Sequence, residues 1–165
     1  YLVRILFVVA AEFPEARFVI IGDGPESSRL NARLAAARLT DRVDRRHWVD
    51  GPGGLAAVYQ QMSALACTST SEGGPRVCLE AMACGVPVFS TPVGLMPEII
   101  DAGVNGWLLP WDQRAGARLV AEVSRKHHVL ARAGRAARQA TEPFARDTIL
   151  EAYARAYRDL ALESQ

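Results

Sequence analysis

Lysine is almost missing from this chain: Lys126 is the only one, and arginine carries nearly all the positive charge. The arginines are spread along the sequence, so we read the imbalance as composition bias. Aromatic residues are few, at 7%. No apolar run reaches the roughly 18 residues that a membrane-crossing helix needs, so no such helix is expected. An excess of charge of one sign is lacking as well. The 19 basic residues face 18 acidic ones, for a formal net charge of +1. That balance argues against a dedicated polyanion binder, and no nucleic-acid partner is expected. Cysteine is scarce: Cys67, Cys78 and Cys84 form an odd set with no C-x-x-C pair. This fits reduced, buried thiols and a cytoplasmic location, and we expect no metal site. Neither a Walker A loop nor G-x-G-x-x-G is present. A signal-peptide pattern is missing at the N-terminus, and so is an initial methionine. We therefore expect a piece of a longer polypeptide.

What the sequence does contain is ample apolar material. Of 165 residues, 50% are hydrophobic and 22% charged. A chain of this length can bury roughly 70% of the surface it exposes when unfolded, enough for a full core. Residues 2–12 are apolar nearly all round, and their length and Ala-Ala-Glu ending predict a helix. Residues 17–21 (RFVII) predict a buried parallel strand closed by Gly22. Helical spacing then runs over 25–39, a weak strand over 43–49, a Gly-Pro loop over 51–54 and a helix over 55–62. A strand over 64–68, a helix over 76–84, a strand over 86–90, a short helix from Pro97 and a strand over 106–109 follow. From 113 the pattern is Ala- and Arg-rich helix, broken near 141–143, and a last helix spans 147–162. Ile149, Tyr153, Ala156 and Leu160 would share one face of that helix. Trp107 and Trp111 are expected to pack.

Strands alternating with helices at this spacing predict an α/β fold, a parallel sheet flanked by helices. In such sheets ligands sit beyond the carboxyl ends of the strands. The informative loop there is 69–76, Ser-Thr-Ser-Glu-Gly-Gly-Pro-Arg. It joins a strand end to a helix N-terminus, whose unpaired N–H groups favour an anion such as a diphosphate. Gly73 and Gly74 let backbone approach a ligand closely. Glu72 stands at the loop mouth. Glu80 stands on an otherwise apolar helix, where a buried carboxylate needs donors, and sugar hydroxyls would supply them. The plainer alternatives are a solvated Glu72 and a Glu80 that merely complements the helix terminus. Arg76 suits a phosphate or plain solvent equally well. His127-His128, and the stretch from Arg132 to Arg138, read as solvated helix faces; adhesion of the latter to anionic lipid is a second option.

Glu72 and Glu80 with seven residues between them, followed by Ala-Met-Ala-Cys-Gly-Val-Pro-Val, resemble the E-x7-E motif of retaining GT-B glycosyltransferases, above all the group 1 set (family 4). The segments 13–25, 91–100 and 103–109 resemble further motifs of that family, in the same order. The resemblance implies the Rossmann-like, donor-binding C-terminal domain, with its first strand missing. Residues 1–126 would form that domain and 127–165 a helical extension packed on it. By the same resemblance, Glu80 holds the ribose hydroxyls and Glu72 the donor sugar. The backbone of Gly73, Gly74, Pro75, Arg76 and Val77 faces the sugar and diphosphate. Gly22 and Gly24 line the donor site, and Trp48 and Val49 meet the base. The reaction implied is hexose transfer from a UDP- or GDP-linked sugar with retention, using no cofactor and no metal. The partners implied are the nucleotide sugar and an N-terminal acceptor domain, with the inner membrane face and a second copy as further options. Gly74 stands where the family commonly has an aromatic, and Leu95 where it has a second glycine. The strand and loop that carry the family's basic phosphate clamp precede Tyr1, so this polypeptide alone is expected to bind nucleotide weakly and to be inactive. Other GT-B sugar-nucleotide enzymes (an epimerase or a phosphorylase-like enzyme) and a non-catalytic nucleotide-binding or interaction module are the alternatives.

Overall fold

The computed structural model describes residues 1–163. Helix α1 (Leu2–Glu12) leads to β1 (Phe18–Ile21), α2 (Ser27–Ala36) and β2 (Val43–Arg46). Then come α3 (Gly51–Tyr59), β3 (Leu65–Cys67), α4 (Arg76–Ala83), β4 (Val88–Ser90), α5 (Met96–Ile99) and β5 (Gly106–Leu108). Three helices close the chain: α6 (Gln113–Ser124), α7 (His127–Thr141) and α8 (Arg146–Glu163). All strand pairs are parallel, in two groups ordered β1-β2 and β3-β4-β5. The α/β class with helices flanking a parallel sheet is thus as the alternation predicts.

Two boundaries depart from the sequence reading. The Gly-Pro segment 51–54 is the first turn of α3, because Pro52 sits where a missing N–H costs nothing. The long Ala- and Arg-rich helix is two helices, with a break at Arg125 and Lys126 that no glycine or proline signals.

The elements stop for local reasons. α1 ends at Phe13, and Pro14 cannot continue it. The Arg42 guanidinium then takes up the carbonyls of Ala10 (2.9 Å), Phe13 (2.5 Å) and Ala16 (3.0 and 2.8 Å), while lying 5.7 Å from the Phe18 ring centroid. α4 starts after Pro75 and ends at Gly85, whose φ is +79°. α6 opens on Asp112, whose carboxylate accepts from the Ala115 N–H at 2.6 Å.

One part of the core lies between β3, β4 and helices α3, α4 and α7, around Cys78, Met82, Val88 and Met96. A second lies on the other sheet face, where Ile5 of α1 meets Phe89, Trp107 and Leu109 and residues of α6 and α7. Phe89 and Trp107 stack with centroids 4.8 Å apart. Burying such side chains stabilises by about 1.5–3 kcal/mol each. A third, smaller cluster joins Leu6 and Ala10 of α1 to Leu34 and Leu39 beside β1. α7 crosses the end of α4 with no side chain between them: a Cβ on Gly134 would collide with the Gly85 carbonyl and stand 3.3 Å from Pro87.

Three packing expectations are corrected. Trp111 is 55% exposed, because it lies in the turn before α6 and not under it. Cys84 is only half-buried, while Cys67 and Cys78 are buried. The face of α8 with Ile149, Tyr153 and Leu160 is exposed, Tyr153 at 61%. Among the described residues no helix is long and apolar enough to cross a membrane.

Candidate functional site

Parallel strands bring their C-terminal ends to one edge of each strand group: loops 22–26 and 47–50 follow β1 and β2, and loops 68–75, 91–95 and 109–112 follow β3, β4 and β5. The sequence-predicted residues fall into two groups, one at each of these edges.

The first group surrounds the ends of β1 and β2. Gly22 has φ +117°, a conformation L side chains rarely adopt, and its N–H donates to the Arg46 carbonyl at 2.9 Å. Asp23 next to it is the knot of the loop. Its carboxylate accepts from the Ser27 hydroxyl, from the Gly24 N–H at 2.8 Å, and meets His47 Nδ1 at 3.1 Å. These bonds, the Ser27 hydroxyl foremost, hold the Asp23 carboxyl below its usual range. Asp23 thereby ties the Gly22–Gly24 turn to the segment carrying Trp48 and Val49. Trp48 is 78% exposed, an unencumbered aromatic plane, while Val49 is half-buried.

The second group surrounds the ends of β3 and β4. Glu72 is exposed and accepts from the Ser69 hydroxyl at 2.9 Å. Gly73 is exposed, Gly74 half-buried and Pro75 buried. Pro75 caps α4 through its backbone alone, so no side chain occupies the helix N-terminus. The first N–H groups of α4, at Arg76 and Val77, therefore face the edge with no side-chain acceptor. Glu80 lies one turn in, with its side chain 37% exposed. It accepts from the Tyr59 hydroxyl at 3.2 Å on Oε2, and Arg76 Nη2 lies 3.6 Å from Oε1. The Arg76 side chain is 89% exposed, so this ion pair contributes about 0–1 kcal/mol and is cheaply exchanged for another anion. Burial first, and then the Glu80 charge, push the Tyr59 hydroxyl well above its ordinary value.

The turn after β4 braces this loop. The Thr91 hydroxyl donates to the Ser69 carbonyl at 2.5 Å. Gly94, at φ +50°, is packed so closely that a Cβ there would collide with the Gly73 carbonyl and stand 2.6 Å from the Glu72 carbonyl. Leu95 comes no nearer than 3.8 Å to the position a Gly74 Cβ would take. It packs beside the loop without closing it.

The structure thus brings Glu72, Gly73, Gly74, Pro75, Arg76, Val77 and Glu80 together at one place. Gly22, Gly24, Trp48 and Val49 form the other, and among the described residues no hydrogen bond joins the two groups directly. Helix α3 links them through the chain, starting just after the Trp48 loop and ending at Tyr59 against Glu80. Sequence reasoning missed Tyr59, Ser69 and Thr91. Nothing local marks them; only the α3–α4 packing and the β3–β4 register bring them to the site. Among the described residues no group of three or more His, Cys, Asp or Glu is arranged to hold a metal.

With that geometry in place, known proteins can be set beside the chain. The family model described as "Glycosyl transferases group 1" matches residues 3–140. A putative colanic acid biosynthesis glycosyltransferase, WcaL of Salmonella typhimurium, is 36% identical over 118 residues, 68% of this chain and 29% of that protein. The N-acetyl-alpha-D-glucosaminyl L-malate synthase of Bacillus anthracis is 31% identical over 148 residues, 88% of this chain and 38% of its own length. The pneumococcal O-GlcNAc transferase GtfA, solved with UDP and GlcNAc, superimposes with a TM-score of 0.85 at 25% identity, over 97% of this chain and 32% of that one. The chain spans about a third of the length of such relatives.

Proposed function

The chain belongs to the group 1 glycosyl transferases, and from that premise we propose that it is the nucleotide-sugar-binding half of a retaining hexosyltransferase. The observation that supports this reading best is the pairing of Glu80 with Tyr59 and Arg76 beneath an uncapped helix N-terminus. A half-exposed carboxylate held by one hydroxyl keeps lone pairs for the two ribose hydroxyls. The α4 N–H groups and the Gly73–Gly74 backbone then take the diphosphate. Arg76 leaves Glu80 for the phosphate charge, at little cost. Glu72, set at the loop mouth by Ser69, receives hydroxyls of the sugar. Trp48 offers its face to the base, beside the turn of Gly22 and Gly24.

In this proposal no side chain attacks the anomeric carbon. The departing phosphate oxygen helps take the acceptor proton on the same face, and configuration is retained. The donor is UDP- or GDP-linked, and neither metal nor further cofactor takes part. Residues 1–126 form the binding unit, with α7 and α8 as its helical extension. An N-terminal domain of a longer protein supplies the acceptor, so the isolated chain transfers nothing. The cytoplasm, where nucleotide sugars are made, is the proposed location, with the inner membrane face as its margin.

The test is titration of the ¹⁵N-labelled chain with UDP, GDP and ADP, followed by amide shifts. One nucleotide should move the signals of Gly73, Gly74, Arg76 and Val77, and Glu80→Ala should remove the response. Silence of all four amides toward all three nucleotides at millimolar concentration would overturn the site.

A further inference from the structure

Cys67 is the last residue of β3 and opens the 68–75 loop, and Cys78 stands in the first turn of α4, just past the end of that loop. In the β3–β4 register Cys67 lies beside Ser90. Helix α4 covers this face of the sheet, and Cys67 and Cys78 join one core cluster with Met82 and Val88. Both are free thiols, and their sulfurs share a hydrogen bond. Cys78 is 0% exposed, whereas Cys67 keeps 8% of its surface open. Neither sulfur has a part in the transfer described above.

The two thiols are not equivalent. The Cys78 S–H donates to the Cys67 sulfur, and this bond foremost brings the Cys67 thiol down to about 6. Burial opposes the change, while Ser69 and Ser90, which stand around the same sulfur, support it. Cys78 is the protonated partner, pushed up by the same bond, by burial and by the Cys67 charge. A thiolate held against a protonated thiol is the arrangement that closes into a disulfide. The segment between them is an irregular loop containing Gly73 and Gly74, so the ends it joins have freedom to bring the sulfurs to the bonded distance of about 2.05 Å.

We propose that Cys67 and Cys78 are a peroxide-sensitive thiol pair, whose disulfide ties together the two ends of the 68–75 loop. The Cys67 thiolate attacks hydrogen peroxide: the O–O bond breaks, an S–O bond forms and hydroxide leaves. Oxidation removes the negative charge that held the proton on Cys78. The Cys78 sulfur then displaces the hydroxyl from Cys67, and its proton goes to the departing oxygen. In sum, two thiols give up two hydrogens and two electrons, and one peroxide becomes two waters. A dithiol reductant reverses the bridge by exchange. The pair stands apart from the residues assigned to the nucleotide sugar, and its chemistry holds whether or not the loop binds a donor.

The test treats the folded Cys84→Ser chain with hydrogen peroxide, quenches in acid and maps digests by mass spectrometry. That substitution removes the more exposed thiol and touches neither member of the pair. The expected product has lost about 2 Da, in a peptide joining 67 to 78, and dithiothreitol restores the mass. The wild-type chain, in which Cys84 takes up oxygen separately, should give the same link. Cys78→Ser should stop at a sulfenic acid on Cys67 that dimedone captures, and Cys67→Ser should give neither product. The ¹⁵N amide signals of Ser69 to Gly74 should move on oxidation and return on reduction. The pair is refuted if both sulfurs are still alkylated in full after oxidation and unfolding, as thiols that only fill the core would be. It is refuted too if the link forms only with urea present during oxidation, or if the oxygen is found on Cys78 first. A link that leaves the loop amides unmoved would overturn the tie to the loop.

Discussion

Replacing Tyr59 with Phe removes one oxygen atom and should change how stability depends on pH. Tyr59 is 3% exposed and its hydroxyl donates to Glu80 at 3.2 Å. At neutral pH the loss is that of one hydrogen bond to a carboxylate that water can partly reach, about 0.5–1 kcal/mol. In alkali the sign turns. The folded Tyr59 hydroxyl titrates above its value near 10 in the unfolded chain, so the native state holds the proton longer. Such a group contributes stability that is fully present below about pH 10 and is lost as pH rises toward the folded value. For a single hydroxyl the loss from about pH 9 to about pH 11 comes to about 1.4 kcal/mol. The wild-type chain incurs it and Tyr59→Phe does not. The Tyr1 hydroxyl, raised by burial and by Asp112, titrates identically in both proteins and cancels. Urea unfolding at steps between those pH values should therefore show the variant less stable at pH 7 and equal or more stable near pH 11. Parallel stability curves would refute the idea that the hydroxyl is buried against Glu80.

Gly94→Ala should destabilise by at least about 1–2 kcal/mol from its left-handed backbone alone, and more from displacing the 72–73 loop, as urea midpoints will show. The same variant should weaken any nucleotide response at Gly73 and Gly74 more than at Gly22. Arg42→Met should cost about 2–4 kcal/mol, because three carbonyls lose a charged donor, and should raise amide exchange at the end of α1. A maleimide probe should label half-buried Cys84 first. Cys78, held protonated by its hydrogen bond with Cys67 and by burial, should react only as the chain unfolds, and mass spectrometry of digests will order the sites.

How much of the fold is legible in the sequence follows the range of the forces involved. The Phe-Val-Ile-Ile run, the Pro75 start and the Gly85 stop of α4 are decided within a few residues, and the sequence carries them plainly. The 69–88 stretch likewise placed Glu72, the glycines and Glu80 on one loop and helix. The α6–α7 break at Arg125 and Lys126 has no local marker, and follows from each helix seating its own apolar stripe. Gly51–Gly54 reads as a loop because glycine and proline disfavour helix interiors, yet proline suits a first turn, and Gly51, at φ +66°, opens the helix in a conformation that favours glycine. Tyr59 and Glu80 are 21 positions apart, and Ser69 and Thr91 are 22 apart. Those meetings depend on sheet register and helix packing, which no short window of sequence encodes. Trp111 looked like a core residue from its size alone, and only its place in the turn before α6 decides otherwise.

The backbone crossing at Gly85 and Gly134 has a consequence for genetics. With no side chain between the two helices, nothing there can flex to absorb an added methyl group. α4 is short and stiff, and Glu80 sits five residues from that crossing. A bulkier residue at position 134 would lever the whole helix, and the carboxylate would be displaced along with its neighbours. A selection for impaired variants should therefore return lesions on the rear of the domain, remote from every ligand-facing loop. Their signature would be a folded protein with an unchanged binding surface in composition but an altered one in alignment.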